Sequence, residues 1–259
     1  MKPEQLQKIE ALAKSETANP ASITHAFDHL HRVAEGAAWF VRVNGGNEEQ
    51  QLLARAAGLL HDIIRPPTQK IDHVLASTAR AEEILKGMGC SDADRKAILQ
   101  AIRDHGGAQA WSSPLHESVF FADKVFEQAG AFVAFRRGAW MAESRDVDRS
   151  STSMADATIA HYERRIASMQ SHTFSPRFSR IVSYQMKLIT DFFDALKAGR
   201  PWAARINKAA FEAGKARTPL EDFIRGYRPA YAEDLSYREE AIAYIEGRLW
   251  GRFEAMIRR

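Results

Sequence analysis

The sequence predicts an all-α fold. Apolar residues recur at helical spacing along most of the chain, and Gly, Pro and Asn punctuate the gaps between these runs. No stretch shows the period-two alternation of a half-buried strand, and no internal repeat or low-complexity tract interrupts the pattern.

The elements follow in order. Residues 4–14 are charged and amphipathic, and Asn19-Pro20 stops them. A second helix opens near Ser22, carries Ile23, Phe27, Leu30, Val33, Ala37, Phe40 and Val41 on one period, and closes at Asn44-Gly45-Gly46-Asn47. A third spans 48–64 and is broken by Arg65-Pro66-Pro67. After a loop, a fourth covers 73–87. Ser91, with Asp94 three residues on, caps a fifth that runs to Asp104-His105 before Gly106-Gly107. A sixth covers 117–128. Residues 130–148 are aromatic and arginine-rich, and further helices are expected at 154–169, 177–196, 203–213 and 236–257. The predicted organisation is a core over residues 1–150 and a helical C-terminal extension, 151–259, that packs on it.

Composition sets the bounds. With 45% hydrophobic and 27% charged residues, the 259-residue chain has ordinary globular composition and length enough for a sizeable core. The 36 basic residues nearly balance the 33 acidic ones, an excess too small to argue for nucleic acid, and no nucleic-acid module is found, so a nucleic-acid partner is not expected. A single cysteine, Cys90, excludes an intramolecular disulfide and fits a reducing compartment; no catalytic role is expected for it. The N-terminus lacks the apolar core of a signal peptide, and no run reaches the ~18 apolar residues of a membrane span. A cytoplasmic protein without membrane contact is expected, with a homo-oligomer left open.

The chemistry concentrates in the first half. His61 and Asp62 end an apolar, alanine-rich run, where a buried carboxylate is costly without a partner. They either cap the helix or hold a divalent metal, for which imidazole and carboxylate are ordinary ligands. His25 and His29 share a helix face at i, i+4, with Arg32 nearly one turn further. His73 opens the fourth helix and His105 ends the fifth. Asp123 sits inside the apolar run Val119-Phe120-Phe121-Ala122-Asp123-Lys124-Val125-Phe126, where an acid has no cheap structural reason. One polar group on each of five successive helices is how helical bundles build metal sites.

In that order, His29, then His61-Asp62, then Asp123, the chain resembles the HD superfamily of metal-dependent phosphohydrolases. His25-Ala26-Phe27-Asp28-His29-Leu30-His31-Arg32-Val33 is similar to the family's opening H-x-x-x-H-x-x-R-V helix, and Leu59-Leu60-His61-Asp62-Ile63 to its HD signature. Ala76 to Leu85, Ile102-Arg103-Asp104-His105 and Ala122-Asp123-Lys124 resemble the helices that follow. The likeness covers about residues 22–140. It implies an HD-domain-like helical bundle in which His29, His61, Asp62 and Asp123 bind manganese, iron, magnesium or zinc. Some branches of the family hold a second metal, for which His73 and His105 are the candidates. The paired histidines and Gly-Tyr-Pro element of the cyclic dinucleotide branch are missing, so one metal is expected, with His105 supporting it from behind.

The implied activity is hydrolysis of a nucleotide or other small phosphate ester by metal-activated water. His25, Asp28 and His105 are candidates for orienting that water, and Asp28 could instead fix a ligand histidine. Lys124 is a catalytic candidate, and Arg32, Arg65 and Arg136 are candidate phosphate partners, with Lys70 and Arg137 also available. Arg65 departs from the common continuation after HD, and Pro66-Pro67 stiffens that rim. Two other classes compete. An HD-type diiron oxygenase using dioxygen requires His73 and His105 as ligands. A non-catalytic metal-binding interaction protein would use Trp202, Tyr227, Tyr231 and Trp250 of the extension, which otherwise belong to its core.

Overall fold

The computed structural model describes residues 1–20, 22–65, 72–107, 110–143, 154–172 and 174–258. Among them it contains thirteen α-helices and no strand, an all-α fold. The chain divides into two compact units, Met1–Ala21 with His25–Phe126, and Ser22–Thr24 with Glu127–Arg259. The division falls near residue 126, whereas the sequence places a boundary at 150.

The first unit holds α1 (Pro3–Glu16), α2 (Phe27–Val43), α3 (Glu48–Leu60), α4 (His73–Gly87), α5 (Asp92–Asp104) and α6 (Pro114–Phe121). A 3₁₀ turn, Ile23–His25, precedes α2. Helix starts carry local signals. Asn47 accepts from the Gln50 amide, and the Gln50 side chain answers the Asn47 amide. Asp72 accepts from Val74 N, Ser91 from Asp94 N, and Ser113 from His116 N, with Pro114 in the first turn of α6. Helix α2 lies against α3 and α6, and α5 against α3, α4 and α6. Leu30, Val33, Leu60, Ile98, Val119 and Phe121 make the fully buried centre.

Two local expectations are corrected. Helix α3 stops at Leu60, four residues before the expected end, and His61 takes the C-cap position. The HD pair therefore stands in a turn. The sixth helix starts earlier than expected, at Pro114, and from Ala122 to Glu127 it widens into a π-helix. Pro66, Pro67 and Lys70 lie outside the described residues.

The second unit is built around α7 (Phe132–Glu143), packed against α10 (Pro201–Ala216) and α12 (Ala232–Ile245). It also holds α8 (Met154–Gln170), α9 (Ser179–Lys197), α11 (Leu220–Gly226) and α13 (Leu249–Arg258). The helix expected at 236–257 is two, because Gly247 adopts φ +69° between them. Asp234, fully buried, organises the start of α12: it accepts from Ala230 N, Tyr231 N and the Tyr227 hydroxyl. Of the four aromatics considered for an interaction surface, Tyr227 is buried, Trp202 and Trp250 are half-buried, and Tyr231 is exposed.

Helices α7 and α10 touch through backbone. A Cβ on Gly214 would lie 2.5 Å from the Ala139 carbonyl oxygen and 2.8 Å from its Cα. Gly214→Ala is expected to destabilise the protein by about 1–3 kcal/mol through overpacking. Urea unfolding checks this; a variant as stable as wild type would show that α10 shifts without cost.

Candidate metal centre

All parts of this centre lie in the first unit. The HD pair is set by the end of α3. His61 Nδ1 donates to the Gly58 carbonyl at 2.7 Å, which leaves Nε2 as the acceptor nitrogen. His105 repeats the device at the end of α5, with Nδ1 donating to the Ile102 carbonyl at 2.5 Å. His29 comes from the first turn of α2, and Asp123 from the π-helical turn, a local geometry that concentrates at functional sites. None of His29, His61, Asp62, His105 and Asp123 is more than 4% exposed.

The five side chains converge. His29 Nε2 lies 3.7 Å from Asp62 Oδ2 and 3.9 Å from Asp123 Oδ1. His61 Nε2 is 3.6 Å from Asp62 Oδ2, and His105 Nε2 is 3.8 Å from Asp62 Oδ1. The rings of His29 and His61 meet at 5.1 Å, and those of His61 and His105 at 5.0 Å. Two overlapping triads result, His29–His61–Asp123 and His61–Asp62–His105, each with its ligand-type atoms within 4.8 Å of one another.

The electrostatics prepare these groups to bind a cation. Burial drives the His61 pKa down to about 3 and also lowers that of His105, so both imidazoles are neutral at pH 7. Burial pushes the Asp62 carboxyl up, but Arg65 beside it, with Nη2 2.5 Å from Oδ2, holds it well below the usual range. Asp123 is likewise raised by burial and lowered further by Lys124, whose Nζ is 2.7 Å from Oδ2. His61 Nε2 and Asp62 Oδ1 are buried and make no hydrogen bond among the described residues. Orphan acceptors of this kind are costly, and a divalent ion satisfies them. The donor set, imidazole nitrogen and carboxylate oxygen without thiolate, fits manganese, iron, magnesium or zinc.

The other expected residues divide. His73, half-buried, comes within 3.9 Å of Asp62 Oδ1 and stacks edge-on with His105 at 5.7 Å. His25 stands edge-on to His29 at 5.3 Å, but neither triad includes His25 or Asp28. Arg32 is buried in α2. Arg136 belongs to the second unit, where it donates to the Thr24 carbonyl at 3.0 Å and lies 3.8 Å from Glu127. Sequence reasoning missed the Gly58 and Ile102 carbonyls that orient the two histidines. Their only sequence signal is a histidine three residues on, at a helix end.

Two outcomes follow. Asp62→Ala is expected to lose bound metal by more than about 10-fold in affinity while keeping its fold, since the apolar faces do not depend on the ion. Elemental analysis and a thermal melt on one sample check this; full occupancy with only a lowered melting point defeats the metal assignment. The second concerns pH in chelator-treated protein. His61 has a lower pKa folded than unfolded, so the unfolded chain binds more protons between pH 6.5 and about 3. Stability should therefore fall on acidification below pH 6.5, by up to about 1.4 kcal/mol per pH unit for this group. Denaturant melts at pH 7.5, 6 and 5 measure the slope, and a flat profile would contradict the neutral buried imidazole.

Comparison with known proteins agrees with this geometry. Residues 26–128 match the HD domain family. No curated protein and no solved structure matches the chain. The matched segment contains every residue of both triads, and that pairing of family with donor set supports metal-dependent hydrolase chemistry in general. By its fold and its His/Asp triads, the segment of residues 26–128 resembles the HD superfamily of metal-dependent phosphohydrolases.

Proposed function

We propose that the protein hydrolyses a small phosphate ester, a nucleotide among the candidates, at the HD centre. The observation that carries this reading is the pairing of each buried carboxylate with a cation from the same site: Arg65 on Asp62 and Lys124 on Asp123. Arg65 is 30% exposed at its side chain and Lys124 13%, so both have partial access to solvent. Their donors suit phosphate oxygens, and guanidinium can bind them bidentately.

His29, His61, Asp62 and Asp123 would hold a divalent ion, which would supply charge stabilisation at a phosphoryl oxygen and a nucleophilic water at neutral pH. His61 and His105 hold fixed Nε2 lone pairs because their Nδ1 protons are committed to backbone carbonyls. Half-buried His73, with a pKa lowered first by burial, is neutral at pH 7 and can accept a proton from an entering group. His25, in the 3₁₀ turn before α2, and Asp28, beside His29 on α2, keep a supporting role. The small-molecule substrate is assigned to residues 26–128, and the C-terminal helices to a supporting role.

One observation favours a second reading. His105 and His73 both face Asp62 Oδ1, while His29 and His61 face Oδ2. Such an arrangement offers a place for a second metal and keeps the diiron oxygenase in view. Two iron equivalents with a mixed-valence signal, and no phosphate release, would decide for it.

The test is a panel of phosphate esters and nucleotides with the manganese-, iron-, magnesium- or zinc-loaded protein, before and after chelation. On an active substrate, Arg65→Ala and Lys124→Ala should each raise KM by about 10- to 100-fold, the value of a charge-assisted hydrogen bond. Unchanged KM in both variants would remove these cations from the substrate site.

A further inference from the structure

We propose that Gly58 is a positioning residue for the metal centre: the missing side chain lets α3 close onto α2 at the distance at which His29 and His61 share one ion. The proposal rests on the metal-centre reading above.

A glycine inside α3 lowers helix stability relative to alanine, so its presence there calls for a reason. The reason is on the facing helix. A Cβ on Gly58 would lie 2.4 Å from Ala34 Cα, 2.7 Å from Ala34 N and 3.0 Å from the Val33 carbonyl carbon. All three are backbone atoms of α2, so no side-chain rotation relieves the contact. Restoring ordinary contact requires the two helices to part by about 1 Å.

The crossing lies beside both ligands. Gly58 is three residues before His61 and its carbonyl accepts from His61 Nδ1, so whatever moves this turn moves the imidazole. Ala34 follows His29 on the same helix by five residues. The rings of His29 and His61 meet at 5.1 Å, and both belong to the triad with Asp123. Metal–ligand distances tolerate only about 0.2 Å. A separation of about 1 Å at the crossing exceeds that tolerance several-fold. One residue thus sets the gap between two ligands and the orientation of one of them.

The test compares two Gly→Ala variants of the full chain, both at backbone contacts between helices. Gly58→Ala sits at the α2–α3 crossing and Gly214→Ala at the α7–α10 crossing. Mn²⁺ affinity is read by calorimetric titration, the ligand field by the absorption spectrum of the Co²⁺-loaded protein, and stability by thermal melts. Gly58→Ala should weaken Mn²⁺ binding by about 10- to 100-fold and alter the Co²⁺ spectrum. Gly214→Ala should lose stability and keep both metal readouts. If Gly58→Ala does not fold, Ala34→Ser adds one atom at the same crossing and should weaken Mn²⁺ binding in the same direction. A folded Gly58→Ala, or in its place Ala34→Ser, with wild-type affinity and spectrum overturns the proposal. Equal loss of affinity in Gly214→Ala overturns it too, since the effect would then track stability. A wild-type chain that binds neither ion removes the metal-centre reading itself, and the proposal with it.

Discussion

Two ionised carboxylates buried within one cluster of imidazoles are the constraint on which the first unit depends. Asp62 and Asp123 are almost inaccessible, and each would be prohibitive to bury alone. Their compensation is distributed. One oxygen of Asp62 faces Arg65, His29 and His61, and the other faces His73 and His105. Asp123 is shared between His29 and Lys124. Removing any one partner leaves the others to carry more charge. This explains why the site draws on α2, the ends of α3 and α5, the start of α4 and the π-helical turn after α6. No single helix could surround a carboxylate from so many directions.

The surrounding helices supply the precision. Short side chains at the α2–α3 crossing bring backbones together, and the histidines gain their orientation from carbonyls of their own helix ends. The capping residues Asn47, Ser91 and Ser113 fix where helices begin, and so fix how many turns separate each start from the polar group at its far end. The second unit meets a parallel problem in another way. Glu127, fully buried, accepts from the Tyr244 hydroxyl at 2.8 Å, and the Arg136 guanidinium lies 3.8 Å from it. There the buried acid is met by protein donors.

Much of this was legible in the sequence, for physical reasons. His29, His61, Asp62 and Asp123 stand out because polar residues within apolar periodic runs need partners. Gly and Asn at 44–47, Ser91 and Gly87 mark helix ends by backbone chemistry that is local. What escaped was non-local or continuous with a helical pattern. Ile63 and Ile64 extend the apolar period past the true end of α3, so the HD pair looked helical. A single glycine, Gly247, divides α12 from α13 without disturbing the apolar spacing on either side. The role of Gly58 is invisible because a close backbone approach depends on Ala34, 24 residues earlier in the chain. Sequence shows the charge of Arg136 but not the carbonyl and carboxylate beside it.

The π-helical turn carries a consequence for how such chains are compared. A turn closed by i→i+5 bonds uses one more residue than an α-helical turn over nearly the same path. Between Ala122 and Glu127 the chain therefore runs one residue longer than a regular helix would need. A relative that closes this stretch as plain α-helix could drop one residue after its acid and keep the acid itself in place. Counting residues outward from Asp123 then aligns the upstream half correctly and throws everything downstream out of step by one. Alignments with HD-domain sequences should permit a one-residue gap there, and an apparent deletion at that point signals a change of helix type, with the acid retained.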